Sequence, residues 1–264
     1  MAAVDAELLA VVERSPTATD AHDRSGWVDI FTPDAQVEDP YGSRPHVGCQ
    51  EITRFYDTFI APRQIIFHRD VDFTVGAAVV RDLTLEIVMA PDVRLDVPMH
   101  LRYDLRESNG DWAVERLRAH WELPTMMVPM LRHGAKSLPP SLRLVRELLR
   151  NQGLGGGAGY LRALRRPGRR ARRCVEEFLD AVVAGDQVTA RRVLGDGAIT
   201  HGDESPIVVG QFADEVRGGR WSKMIATGDT ISASVNTPSG RGVVFCEIPS
   251  AAEGITRVRY FGVL

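Results

Sequence analysis

The stretch VEDPYGSRPHVG, Val37 to Gly48, sets two adjacent carboxylates, Glu38 and Asp39, directly before a proline and a glycine-containing turn. In extended backbone neighbouring side chains point to opposite faces. One acid of the pair therefore faces the interior of any sheet this segment joins, and the other faces away. A carboxylate turned into apolar surroundings is unfavourable unless it is paired or does chemistry. A solvated pair before a turn is the commonplace alternative, because Asp and Glu are mostly exposed. The flanking sequence decides between them.

Upstream, DAELLAVVER (5–14) and TATDAHDRSGWVDIF (17–31) have helical spacing, with Pro16 suited to the first turn of a helix opening after Ser15. Downstream, QEITRFYDTFI (50–60) places Ile52, Phe55, Tyr56 and Phe59 as an amphipathic helix would. Four strand-like runs follow: 65–75, 77–89, 93–107 and 111–123, separated by turns such as APDV and ESNGD. Helices followed by a four-strand meander define a first α+β unit over residues 1–125.

From Cys174 the pattern restarts. CVEEFLDAVVAGDQVTARRVL reads as helical, AITHGDESPIVVG (198–210) repeats the layout of QVEDPYGSRPHVG, and QFADEV is a short helix before further strands. Residues 174–264 thus read as a shortened copy of the first unit, an internal repeat that predicts two domains. His201 stands where Asp39 stands in the first copy, so the second has no evident base and reads as structural or ligand-binding.

Residues 126–173 differ in kind. Between Arg132 and Arg173 there are twelve Lys or Arg residues against one acid, Glu147; this +11 strap lies in a chain of net charge −3, leaving −14 for the rest. Its SLRLVRELLRN segment (141–151) is a candidate basic amphipathic helix, with Leu142, Val145 and Leu149 on one side. The strap reads as a linker whose arginines pair with acidic domains. A second reading docks 138–173 on an anionic membrane surface. Little aromatic interleaving argues against nucleic acid. GLGGGAG lacks the Lys-Ser/Thr of a phosphate loop and reads as a hinge.

The composition, 44% hydrophobic and 25% charged, is that of a soluble globular protein. With no run of about 18 apolar residues, no membrane span is expected, and the acidic N-terminus does not read as a signal peptide. Cys49, Cys174 and Cys246 are widely spaced, which suits free thiols in a cytoplasmic protein. His68, Asp70 and Asp72 alternate along one strand face and are expected to be solvated rather than to bind metal; no metal or other cofactor is expected. His100 and His120 are expected to point outward or to cap strand edges.

The first unit resembles ketosteroid isomerase and the wider SnoaL-like, nuclear-transport-factor-like families. DIFTPDAQVEDPYGSRPHVGCQEITRFY, DVPMHLRYDL and RLRAHWEL carry the resemblance, over about residues 5–123. It extends more weakly, through layout, over 174–264. It implies two tandem cone-shaped (cystatin-like) domains, each a curved antiparallel sheet wrapped around helices, with a pocket in the first. It implies Asp39 as general base for proton transfer on an apolar, polycyclic carbonyl substrate such as a steroid. An Asp base beside oxyanion donors is the arrangement for which ketosteroid isomerase is the standard example. Tyr56 matches a tyrosine supporting the oxyanion hole, and Trp121 an aromatic residue of the pocket wall. Ser15 and Met99 occupy the two oxyanion-donor positions, and Phe31 replaces an aromatic hydroxyl. With Phe55 these line the expected binding site.

Losing one oxyanion donor costs about 10²–10³ in rate, whereas a positioned base supplies about 10²–10⁴. Tyr56 moving into the space left by Ser15 would restore one donor. A silent steroid or lipid carrier, and a SnoaL-like cyclase or epoxide hydrolase, are the other function classes that the pattern admits. A homodimer is a further expectation.

Overall fold

The computed structural model describes residues 2–90, 93–122, 166–250, 252 and 254–263. The chain divides into two compact units, residues 1–72 with 77–164 and residues 73–76 with 165–264. Most of the basic strap, including its candidate helix and glycine hinge, lies outside the described residues. Among the described residues no helix is long and apolar enough to cross a membrane.

The first unit opens with α1 (Ala2–Asp20) and α2 (Arg24–Val28). Pro16 was expected to start a helix; it lies inside α1 instead. Proline in a helix interior forfeits a backbone hydrogen bond. Here burial of Leu8, Val12, Ser15, Ala18 and Thr19 holds the helix together, and the Thr17 hydroxyl donates to the Glu13 carbonyl at 2.9 Å. The break falls later, at His22, with φ +51°. Asp23 then caps α2, its carboxylate accepting from the Gly26 N–H at 2.9 Å. A Cβ at position 26 would lie 2.3 Å from that carboxylate, so a side chain there would displace the cap.

Residues 29–31 do not extend the helix as expected: β1 starts at Phe31 and runs to Glu38. β2 (His46–Val47) leads into α3 (Gly48–Phe55), which continues as one π-helical turn, Tyr56–Ile60. The four expected strands are β3 (Gln64–Val75), β4 (Ala78–Ala90), β5 (Val93–Ser108) and β6 (Asp111–His120). Asn109 and Gly110, both at positive φ, close the β5–β6 hairpin as Asn-Gly pairs do. The sheet has six strands in the order β2-β1-β6-β5-β4-β3. β1 pairs in parallel with β6, a contact between residues some eighty positions apart that a meander does not contain.

Inward residues of this sheet, among them Val37, Leu83, Met99, Leu101, Leu117 and Trp121, close one core with α1, α2 and α3. The opposite face overturns one expectation. His100 and His120 pair across β5 and β6 and point away from the Met99 side, yet they are 0% and 3% exposed. Strand alternation fixes direction, not exposure. Polar partners make this burial tolerable: Asp82 lies 3.7 Å from His100, and Asp104 binds both Arg102 and Arg118.

In the second unit α4 (Arg169–Ala184) ends at left-handed Gly185, and Asp186 caps α5 (Gln187–Leu194). The single helix expected from Cys174 is thus two, the first beginning at Arg169. β7 (Ala198–His201), β8 (Ser205–Ile207), α6 (Val209–Val216), β9 (Arg220–Thr227), β10 (Thr230–Asn236), β11 (Arg241–Glu247) and β12 (Arg257–Gly262) follow. Their order, β8-β7-β12-β11-β10-β9, repeats that of the first sheet strand for strand. The parallel β7–β12 contact repeats too. The chain is α+β throughout, with two sheets that are mainly antiparallel.

Candidate functional site

The acid pair is separated by the turn that follows it. Val37 is buried in the core, so Glu38, the next residue of β1, points the other way and lies within hydrogen-bonding distance of the Gly42 N–H at 3.4 Å. Gly42 has φ +83°, and the Ser43 N–H donates to the Pro40 carbonyl at 3.0 Å. The Tyr41 N–H bonds the Ala119 carbonyl of β6 at 2.8 Å, which pins the turn to the sheet. Asp39 is left facing Trp121, whose indole N–H donates to its Oδ1 at 2.6 Å.

Burial pushes the Asp39 carboxyl up to about 6, against the smaller opposing effect of the Trp121 N–H. Desolvation disfavours the charged form, and a donor to the carboxylate favours it. An acid near 6 ionises close to neutrality and accepts protons better than an exposed one does. That is the tuning a general base needs.

The other expected residues fall around an aromatic cluster centred on Trp27. Its ring lies 4.8 Å from Phe31, 6.0 Å from Phe55 and 5.6 Å from Tyr56. Its N–H donates to the buried Ser15 hydroxyl at 3.2 Å. Met99 is buried on the inward face of β5. Asp39, Tyr56, Ser15, Phe31, Phe55, Met99 and Trp121 therefore all lie on or beside the inner surface of the first sheet. Trp27 was not anticipated, because GWV was read only as part of a helical run.

Tyr56 is buried, and among the described residues no group accepts a hydrogen bond from its hydroxyl. Burial raises its pKa, with Asp23 and Asp57 adding to the rise and Arg24 opposing it. Tyr103 was missed as well. It belongs to the inward set Val97, Met99, Leu101, Tyr103 of β5, which alternation in DVPMHLRYDL would have revealed.

Elsewhere, His68 bonds Glu86 at 2.9 Å, and Asp72 grips the buried Arg81 guanidinium at 2.8 and 2.9 Å. His68 and Asp70 are exposed on this strand face, and Asp72 is engaged in an ion pair. In the second unit His201 Nε2 lies 3.0 Å from the Gly262 carbonyl.

The nuclear transport factor 2 (NTF2) domain family matches residues 7–105. Solved structures similar to this chain include the Delta 5-3-ketosteroid isomerase of Mycobacterium sp., at 24% identity and TM-score 0.41, covering 46% of this chain and 96% of that one. A Mycobacterium tuberculosis protein crystallised with estradiol-17beta-hemisuccinate matches at 22% identity and TM-score 0.41, covering 45% of this chain and 96% of that one. An epoxide hydrolase/cyclase-like enzyme of pyran ring formation in the polyether salinomycin matches at 17% identity and TM-score 0.39, covering 45% and 92%.

Proposed function

Residues 7–105 form an NTF2-like domain, and from that premise we propose that the first unit transfers a proton on an apolar, polycyclic carbonyl compound, with Asp39 as the general base. One observation carries the reading: Asp39, raised to about 6 by burial and held by the Trp121 N–H, stands on the inner surface of the sheet. Its carboxylate removes a proton from the carbon beside the ketone, electrons move onto the ketone oxygen, and the proton returns to another carbon. Phe31, Phe55, Met99 and Trp121 supply apolar and aromatic contacts to the ring system. The test is turnover of a Δ5-3-ketosteroid. Asp39→Asn should cut the rate by roughly 10²–10⁴ while the fold survives, and a variant as fast as wild type would remove Asp39 from the mechanism.

A silent carrier is the second reading, and the environment of Ser15 favours it. The Ser15 hydroxyl accepts from Trp27 at 3.2 Å, and Met99 offers no donor. A protein that binds a steroid ketone tightly without turning it over would be a carrier.

The basic segment 138–173 is proposed to meet an anionic membrane surface, which would bring such a ligand from the bilayer. Each Lys or Arg near the surface contributes about 1 kcal/mol, screened by salt. Sedimentation with phosphatidylserine vesicles, weakened by salt and by glutamate at Arg143, Arg146 and Arg150, is the expected result. No sedimentation at low salt would remove the membrane from the reading.

A further inference from the structure

Tyr103 is completely buried on the inward face of β5, paired with Leu117 of β6 and Val79 of β4. Among the described residues no group accepts a hydrogen bond from its hydroxyl. Nearly all buried polar groups in folded proteins have a partner, so this hydroxyl is kept at a cost that the unliganded fold does not recover. Its surroundings are those of a site. The Ser15 side chain neighbours it as a donor, and the charges of Arg81 and Asp39 act on it. Arg81 is itself buried and held by Asp72 and Glu13. It polarises the phenol without competing for a ligand.

We propose that the Tyr103 hydroxyl donates a hydrogen bond to an oxygen at the buried end of the ligand, making the first unit selective for apolar molecules that carry a carbonyl or hydroxyl oxygen there. This rests on the reading of Asp39 given above and adds what the ligand must present. Ser15 is short and already accepts from Trp27, whereas Tyr103 is the longer side chain. Tyr103 rather than Tyr56 is chosen because the charged neighbours of Tyr56 are Asp23, Asp57 and Arg24, whereas those of Tyr103 include Asp39. An inward hydroxyl whose cross-strand neighbours are Val79 and Leu117 also discriminates strongly. A hydrocarbon end would leave it unpaired in the complex, and sites built to hydrogen-bond a ligand reject analogues that lack the group.

The test is infrared difference spectroscopy of the full chain with 4-androstene-3,17-dione, whose conjugated and saturated ketones absorb separately. In wild type, one carbonyl band should fall in frequency relative to the ligand in an apolar solvent. Tyr103→Phe should return that band and weaken binding by roughly 3- to 10-fold, and Tyr56→Phe should leave the band in place. Without ligand, Tyr103→Phe should melt no lower than wild type, because the hydroxyl it removes has no acceptor among the described residues. Either an unchanged band in Tyr103→Phe or a lower melting temperature would overturn the assignment of Tyr103 and leave the Asp39 reading standing. Failure of wild type to bind the diketone would overturn both.

Discussion

Asp39 is held between burial, which favours its neutral form, and the Trp121 N–H, which favours its charge. The balance has consequences for stability. Its carboxyl protonates near 6 in the folded chain and near 4 when unfolded. Between those values the folded state binds more protons, so stability falls as pH rises from about 4 to about 6 and then levels. Asp39→Asn keeps an oxygen for the indole and removes the charge. It should be more stable than wild type at pH 8, by up to about 3 kcal/mol, and similar at pH 3.5. Urea unfolding of both proteins at the two pH values checks this; equal stability at pH 8 would mean that the carboxylate is well solvated. Trp121→Phe removes the opposing donor. The acid limb of any pH–rate profile, expected near 6 for wild type, should then move to higher pH.

β5 shows how one element serves two environments. Its inward set includes Met99 and Tyr103, and its outward set includes His100 and Arg102, all of them buried. Burial holds His120, the partner of His100, well below the usual histidine range, with Arg118, His100 and Arg102 adding to the effect. The unfolded chain takes up that proton near 6.5 and the folded chain does not. This contribution therefore destabilises progressively as pH falls below about 6.5, and His120→Asn should flatten the loss between pH 7 and 5 in urea unfolding. β3 and β4 are tied by Arg81. Removing one partner of a buried ion pair strands the other charge, so Asp72→Ala should cost about 3–5 kcal/mol. A loss below about 1 kcal/mol would show that Glu13 alone satisfies the guanidinium.

At the scale of the whole molecule, the two units repeat one strand order, and each has its own core cluster among the described residues. One core cluster draws only on residues before 122 and the other only on residues after 174. Phe212 is fully buried in the second. Phe212→Ala should cost about 3–5 kcal/mol there, and hydrogen exchange should speed up across β7–β12 while β1–β6 keep their protection. Equal loss of protection in both units would show that they unfold as one. The second unit has the topology without the Asp, since His201 meets the Gly262 carbonyl.

The sequence alone determined what depends on local periodicity and short turns. It held the strand spans, the Asn-Gly hairpin, the helix carrying Ile52 and Phe55, and the doubling of the pattern. It also held the opposite facing of Glu38 and Asp39, because a two-residue alternation needs no tertiary information. Pro16 misled because a local helix breaker is overridden when the continued helix buries a whole face. The outward histidines misled because alternation says which way a side chain points and not what covers it. Only the tertiary structure could join β1 to β6 in parallel and bring Trp121 to Asp39 from eighty-two residues away. Only it could leave the Tyr103 hydroxyl buried without an acceptor among the described residues. Each of these is set by long-range packing, where the partner of a group is chosen by the fold and not by its neighbours in the chain.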